Sequence, residues 1–231
     1  MKIAVISDIH GNIFALEEVL KDINKRHINT IVCLGDLVGY GPFPNEVIDL
    51  IKKENILLII GNYDSAVVSG DIKYVRDNEL NKNFVLPWSC SEVSDKNKKF
   101  LKRLPQDITI VDKGKIIKFV HGSTRAVNEY LMENSTEAKE VIDEFTGDVL
   151  VCAHTHLPYS KKYDNKLLVN DGSVGKPKIG NPNATYCILK VEEEGIDVEL
   201  IEIPYDYEKL AVAMEERDFP KNLIDSIRMG K

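Results

Sequence analysis

The sequence predicts an α/β fold in which two β-sheets lie between helical layers. In the first part of the chain, apolar strand-like runs alternate with helical segments, which is typical of a parallel sheet with right-handed crossovers. The second part contains consecutive strand-like runs separated by turn residues, which favour antiparallel strands. The 231 residues suffice for a substantial core, and we expect one domain spanning 1–231.

The elements of the first part follow one another at short intervals. The run KIAVIS predicts a buried strand, and a helix is expected from Asn12 to about Arg26, where apolar residues recur at roughly helical spacing. TIVCLG and ILLIIG predict two further strands, with a short helix over 45–53 between them. Residues from 65 to about 107 are more polar and predict a helical side layer.

The second part begins with a predicted hairpin that turns at 113–114. Asn134 and Glu137 resemble a capping box and predict the start of a helix. VLVCAH predicts a strand, followed by a hairpin around 164–165. TYCILKV and IDVELIEI predict two more strands, and the chain from Tyr207 onward is expected to be helical.

Composition narrows the classes of function. The chain is 43% hydrophobic and 29% charged, with a net charge of −7. That acidic balance disfavours binding to long nucleic acids or to acidic membranes. The four cysteines form no CxxC pair, so we expect no disulfide framework and a reducing compartment. No run approaches the ~18 apolar residues of a membrane span, and no signal peptide is recognisable, so a cytoplasmic protein is expected.

Carboxylate, amide and imidazole side chains follow the predicted strands at the points where they end. In open α/β sheets, ligands bind at the carboxyl ends of the strands. Any one of these residues could be an ordinary turn or buried polar residue, but agreement among six strand ends is improbable by chance. Five strand ends carry Asp8, His10, Asp36, Asn62, His121, His154 and His156, and the sixth carries Asn170, Asp171 and Ser173.

The spacing of these residues predicts a metal centre. Asp8 and His10, and likewise His154 and His156, are two positions apart, so on an extended backbone each pair points to one side. Imidazole and carboxylate together suit a first-row transition ion or zinc. Seven such residues exceed one tetrahedral site, so two ions that share Asp36 as a bridge are predicted.

These residues resemble the calcineurin-like metallophosphoesterase superfamily. Its motifs are Asp-x-His, Gly-Asp-x-x-Gly, Gly-Asn-His-Asp/Glu, a lone His and Gly-His-x-His. They occur here in that order, with tyrosine for histidine at position 63 and alanine for glycine at position 153. GDLVGYGPFPNEVI and HGSTRAVNEYL further resemble a small stand-alone bacterial and archaeal branch, YfcE-like or diadenosine-tetraphosphatase-like. The resemblance implies a four-layer αββα sandwich of two mixed β-sheets flanked by helices.

The resemblance also implies roles for single residues. One metal ion would be held by Asp8, His10, Asp36 and His156, and the other by Asp36, Asn62, His121 and His154. The ions would be divalent transition metals, with manganese expected and iron, zinc or nickel as alternatives. Substrate binding would involve Arg125, Asn128, Tyr130 and Ser173.

The predicted reaction is hydrolysis by in-line attack of a metal-bridging hydroxide on phosphorus, with Asp36, Asn62 and Tyr63 as the catalytic residues. Two divalent ions, two aspartates and one hydroxide leave the site near +1, which attracts a phosphate group. Tyr63 stands where the wider family has histidine, and a phenol with a pKa near ~10 is a poorer proton donor than imidazolium. This change favours phosphodiesters or nucleotide phosphoanhydrides, whose leaving groups need less help.

Two alternatives remain open from the sequence. The chain could be a protein-binding scaffold that keeps the fold without catalysis, although its full set of ligand types argues against this, or it could be a phosphomonoesterase. The expected partner is a phosphate-containing small molecule or nucleotide, without a membrane or long nucleic acid, and the resemblance implies that the chain can form homo-oligomers. Lys176 and Lys178 could meet a second phosphate or could be solvated loop residues.

Overall fold

Ten strands and eight α-helices build the chain, and the computed structural model describes residues 1–231. The strands are β1 (Lys2–Ile6), β2 (Thr30–Cys33), β3 (Leu57–Leu58), β4 (Asp107–Asp112), β5 (Lys115–Val120), β6 (Val149–Cys152), β7 (Tyr159–Tyr163), β8 (Lys166–Asn170), β9 (Ala184–Val191) and β10 (Ile196–Ile203). The helices are α1 (Ile13–Lys25), α2 (Pro44–Lys53), α3 (Asn62–Ser69), α4 (Leu86–Glu92), α5 (Asp95–Leu101), α6 (Thr136–Glu144), α7 (Tyr207–Glu215) and α8 (Lys221–Met229).

The strands form two five-stranded sheets, ordered β10-β9-β1-β2-β3 and β4-β5-β6-β8-β7. In the first sheet β1, β2 and β3 are parallel, while β9 runs antiparallel to β1 and β10 antiparallel to β9. In the second sheet β5, β6 and β8 are parallel, and the edge strands β4 and β7 are antiparallel to their neighbours. Both sheets are therefore mixed.

Successive side chains of a strand point to opposite faces of the sheet. The buried apolar side chains therefore form three separate layers. Ile3 and Val5 of β1 pack between the two sheets with residues such as Phe119 of β5. Ala4 and Ile6 face the other way and pack with helices of the first sheet's outer side. A third cluster joins the outer face of the second sheet to α6. The order helix, sheet, sheet, helix is the four-layer arrangement that was predicted.

Several element boundaries differ from the predicted ones. The third strand is reduced to two residues, β3, because the chain turns after it toward α3. The helix predicted from Asn134 and Glu137 starts one residue later, since the side chain of Ser135 accepts the hydrogen bond from Ala138 N. The helix predicted from Asn12 is α1, in which Asn12 is the cap and its side chain accepts from Ala15 N.

The region predicted to be a helical side layer, 65–107, holds the rest of α3, a 3₁₀ turn (Ile72–Tyr74), a π-helical stretch (Asn81–Val85), α4 and α5. All four cysteines are free thiols. None of the eight helices combines the length and apolar character that crossing a membrane requires.

Candidate metal centre

The seven predicted ligand residues meet where strands of both sheets end. Two loops of the first sheet, after β1 and β2, carry Asp8, His10 and Asp36, and Asn62 opens α3. The second sheet supplies the histidines that follow β5 and β6. All seven residues are buried, none more than 6% exposed.

The backbone at these residues is not extended. Asp8 and His10 both have φ of 49°, and His154 and His156 have φ of 65° and 63°. The extended-strand reason given for their shared direction is therefore wrong, because the chain leaves each strand through left-handed residues. Five of the eleven non-glycine residues with positive φ belong to the ligand group, Asp36 being the fifth. Such conformations are costly for non-glycine residues and cluster at functional sites.

The side chains fall into two adjacent groups. Asp8, His10 and His156 form one, and Asp36, His121 and His154 form the other, with the candidate ligand atoms of each group within 4.8 Å of one another. Asp36 Oδ2 lies 3.5 Å from His121 Nε2 in its own group and 3.8 Å from His10 Nε2 in the other. The Asp36 carboxylate therefore lies between the two groups.

Hydrogen bonds to backbone carbonyls fix three of the imidazole rings. The Nδ1 atoms of His10, His121 and His156 lie 2.9, 2.7 and 2.5 Å from the carbonyl oxygens of Val38, Leu34 and Lys176, respectively. A carbonyl can only accept, so each Nδ1 carries the proton and donates it. The Nε2 atom of each ring is then left with a lone pair directed into the centre, which is the orientation of metal-binding histidines.

These lone pairs face other acceptors without a proton between them. His10 Nε2 and His156 Nε2 are 3.3 Å apart, close to the ~3.4 Å edge of a tetrahedral site with bonds of ~2.1 Å. His121 Nε2 is 2.8 Å from Asn62 Oδ1, whose amide nitrogen is turned away to donate to Tyr74 O at 2.9 Å. A cation between the facing atoms would convert these repulsions into coordination.

Buried atoms without partners point to the same conclusion. Asp8 Oδ1, Asp36 Oδ2 and His154 Nε2 have no hydrogen-bond partner, although buried polar atoms are nearly always paired. Burial, followed by the negative charges of Asp8 and Asp64, raises the pKa of Asp36 well above its ordinary value. Carboxylates crowded in this way need a compensating cation, so the residues present fit divalent metal ions.

Burial also keeps the imidazoles neutral, as metal binding requires. It lowers the pKa of His121, lowers that of His156 to about 4, and lowers that of His154 well below the ordinary histidine value. All three rings are therefore unprotonated near neutral pH.

A buried carboxylate that was not predicted as a site residue orders the loop of Asp36. Asp64 Oδ2 accepts hydrogen bonds from the backbone N–H groups of Asp36 (2.8 Å) and Gly61 (3.0 Å). Its Oδ1 accepts from Leu37 N and Val38 N at 3.0 and 3.3 Å. Asp64 thereby fixes the turn after β2 to the start of α3. The Gly-Asn-x-Asp motif contained this residue, but its spacing gave no sign of that role.

Tyr63 lies beside the centre, and its hydroxyl is hydrogen-bonded to residues outside the ligand set. The hydroxyl donates to Asn81 Oδ1 at 2.9 Å and is hydrogen-bonded to the Tyr40 hydroxyl, while the ring packs edge-on against His10. Burial, together with Tyr40, raises the pKa of Tyr63 well above its ordinary value. The phenol is thus an even weaker acid than an ordinary tyrosine. Its backbone N–H donates to Asp36 Oδ1 at 2.7 Å.

A cleft of about 240 Å³ opens onto the ligand side chains. Asn62, His154 and His156 form part of its wall. The other lining residues are Tyr40, Tyr63, Arg76, Asn78, Leu80, Tyr130, Lys176, Lys178, Asn222, Leu223 and Ser226. Arg76, Asn78 and the residues of α8 were not predicted, because they come from distant segments and carry no local motif.

Of the four residues predicted to bind substrate, the structure brings Tyr130 to this cleft, where its ring lies 4.1 Å from that of His154. Arg125 is paired with Glu129 and Glu140, and Asn128 Nδ2 donates to the backbone oxygen of Lys73. Ser173 is fully buried. Its hydroxyl donates to Asp8 O at 2.8 Å and accepts from Lys176 N, so it braces the loop of Asp8.

Comparison with known proteins identifies the class to which this fold and this candidate metal centre belong. Residues 1–194 match the model of the calcineurin-like phosphoesterase superfamily domain, and the chain belongs to this family. The predicted family and its four-layer fold are thereby confirmed.

Relatives support this assignment along the whole chain. The uncharacterized protein MJ0912 of Methanocaldococcus jannaschii is 35% identical, over 99% of this chain and 98% of that protein. The phosphodiesterase YfcE of Escherichia coli is 27% identical, over 82% of this chain and 87% of that protein. A metallophosphoesterase from Sphaerobacter thermophilus has a crystal structure that superposes with a TM-score of 0.83 at 27% identity, covering 100% of this chain and 99% of that one.

Proposed function

We propose that this protein hydrolyses a phosphodiester or a nucleotide phosphoanhydride with two divalent transition-metal ions, manganese being the expected metal. The observation that carries the proposal is the pair of adjacent ligand groups, in which imidazole lone pairs and unpartnered carboxylate oxygens converge. Asp8, His10 and His156 would hold one ion. Asn62, His121 and His154 would hold the other, and Asp36, which lies between the two groups, would contact both.

Bound ions at such a site supply electrostatic stabilisation of the phosphoryl oxygens and lower the pKa of water. The protein's own residues orient and retain the substrate. The histidines are held by their Nδ1–H bonds to backbone carbonyls, and Asp36 is held by the N–H of Tyr63. Because hydrogen bonds already hold these side chains in position, no free energy is needed to order them during the reaction.

The surroundings of Tyr63 favour substrates with good leaving groups. A phenol with a raised pKa, already hydrogen-bonded to Tyr40 and Asn81, is not placed to protonate an alkoxide. Phosphodiesters and anhydrides with stable leaving groups need no such proton. The relative YfcE is named a phosphodiesterase, which agrees with this preference.

The test compares hydrolysis of bis-p-nitrophenyl phosphate and p-nitrophenyl phosphate, with manganese and with chelator. We expect manganese-dependent cleavage of the diester, little cleavage of the monoester, and a loss of about a hundredfold or more in Asp36→Asn. Asp49→Asn, an exposed carboxylate on α2, is the matched control and should retain activity.

Each contrary outcome has a distinct meaning. Dominant monoester cleavage would contradict the substrate preference drawn from Tyr63. Binding of two metal ions without turnover of either compound, or of nucleotide anhydrides, would favour the protein-binding scaffold instead.

A further inference from the structure

The cleft above the metal-ligand side chains has a strongly positive wall. Three cationic residues line it, Arg76 from the segment between α3 and α4, and Lys176 and Lys178 from the loop between β8 and β9. The chain as a whole carries a net charge of −7. Positive charge is therefore concentrated locally, which raises the local concentration of anions.

No aspartate or glutamate neutralises these three residues. The ion pairs of the chain include none of them. Lys176 is only 9% exposed. Its ammonium donates to the main-chain oxygen of Lys231, the last residue of the chain, at 2.7 Å and lies 5.3 Å from the centre of the Tyr40 ring. Lys178 Nζ donates only to the carbonyl of Thr155, at 3.4 Å, so its charge and that of Arg76 are left for an anion in the cleft.

The three cations line one cleft, and their like charges repel one another. Repulsion of this kind is relieved by a ligand that carries several negative charges.

The positive wall begins directly beside the metal ligands. His156 donates its Nδ1–H to the carbonyl of Lys176, and Lys178 N donates to His156 O at 3.2 Å. On the far side, α8 closes the cleft with Asn222, Leu223 and Ser226. This helix lies outside residues 1–194, the part matched by the family model, so one wall of the cleft is added by the C-terminal segment.

We propose that Arg76, Lys176 and Lys178 form a second anion site that makes the enzyme selective for small molecules with a polyphosphate chain. One phosphate would lie at the metal centre, and its neighbour in the chain would be held by the three cations. The proposal rests on the proposed function and narrows its substrate to phosphoanhydrides. A cleft of about 240 Å³ in an acidic protein suits a small molecule better than a nucleic acid.

The chemistry of such a substrate agrees with the site. The oxygen of water forms the new bond to phosphorus, the bond from that phosphorus to the bridging oxygen breaks, and the bridging oxygen leaves with the neighbouring phosphate. The proton of water passes to solvent. Because the leaving group is itself a phosphate, no proton donor is needed at the position of Tyr63.

The first experiment measures binding of inorganic triphosphate to the metal-free protein by calorimetry, in the presence of chelator. We expect wild-type protein to bind triphosphate more tightly than single phosphate, and Arg76→Ala and Lys178→Ala each to weaken triphosphate binding about tenfold. Both side chains are exposed, so neither change should disturb folding. Lys82→Ala, which removes an exposed lysine paired with Asp77 in the same helical region, is the matched control and should bind like wild type.

The second experiment uses the manganese-loaded enzyme. Arg76→Ala and Lys178→Ala should lower kcat/KM for a dinucleoside triphosphate about tenfold more than for bis-p-nitrophenyl phosphate. Equal losses on both substrates, or triphosphate binding that is absent or unaffected by the two changes, would overturn the second anion site. If bis-p-nitrophenyl phosphate and the dinucleoside triphosphate are both left intact, the proposed function fails, while triphosphate binding still decides whether the anion site exists.

Discussion

Tyr63 contacts two of the candidate metal ligands, His10 and Asp36, and in the proposed function it also sets the substrate preference. It occupies the position where the family motif has histidine, and it fills that position with a ring packed against His10 and a hydroxyl bonded to Tyr40 and Asn81. The identity of the residue was readable in the sequence. Its orientation was not, because Tyr40 and Asn81 belong to other segments.

Replacing this tyrosine by histidine should extend activity toward alkyl monoesters. An imidazole at position 63 can be protonated near neutral pH and can donate to a poor leaving group, for which general acid catalysis contributes roughly 10²–10⁴-fold. We expect Tyr63→His to raise kcat/KM for glycerol phosphate relative to bis-p-nitrophenyl phosphate by about tenfold or more. Tyr63→Phe lacks both acids and is the control. An unchanged ratio in Tyr63→His would show that position 63 does not set the preference.

At the scale of elements, the site depends on close contact between the turn after β2 and the start of α3. Asp64 in the first turn of α3 accepts backbone hydrogen bonds from the Asp36 turn. Gly61 precedes α3 with φ of −91° and ψ of 177°, which any residue can adopt. Glycine is required there for space, since a Cβ would lie 2.1 Å from Asp36 Oδ1 and 2.2 Å from Asp36 N.

Gly61→Ala should therefore displace Asp36 and weaken the metal centre. Overpacking of this kind costs about 1–3 kcal/mol of unfolding free energy, and movement of the shared ligand should reduce bound manganese. Urea denaturation and metal analysis after desalting measure the two effects. Gly195→Ala is the matched control, because no atom lies within 4 Å of its added methyl group. Full manganese binding by Gly61→Ala would contradict the expected displacement of Asp36 as a shared ligand.

The sequence predicted elements best where local signals are strong. The start of α1 was predicted to within one residue and the turn at 113–114 was predicted correctly, because helix caps and Lys-Gly turns act within a few residues. The strand-end pattern also predicted which seven polar side chains meet. The cleft wall was missed, since Arg76 and Asn222 reach it only through packing of segments far apart in the chain.

At the scale of the whole molecule, the organised site lowers the stability of the fold, because it buries ligand atoms that have no hydrogen-bond partner. Asp8 Oδ1 and Asp36 Oδ2 lack partners in the folded chain, and in the unfolded chain water would solvate both. Without a cation, these atoms therefore subtract from the stability of the fold. Metal ions that bind only the folded protein should recover that loss and add a mass-action term.

Manganese should consequently raise Tm, and chelator should lower it. At a free concentration one hundred times Kd, one ion contributes about 2.7 kcal/mol, which for a chain of this size corresponds to a shift of roughly 5–11 °C. Differential scanning fluorimetry with manganese and with chelator measures the shift, and magnesium serves as a comparison ion that prefers oxygen ligands. Asp36→Asn should respond less than wild type, because its carboxylate lies between both ligand groups. An identical Tm with manganese and with chelator would contradict a metal centre built from these residues.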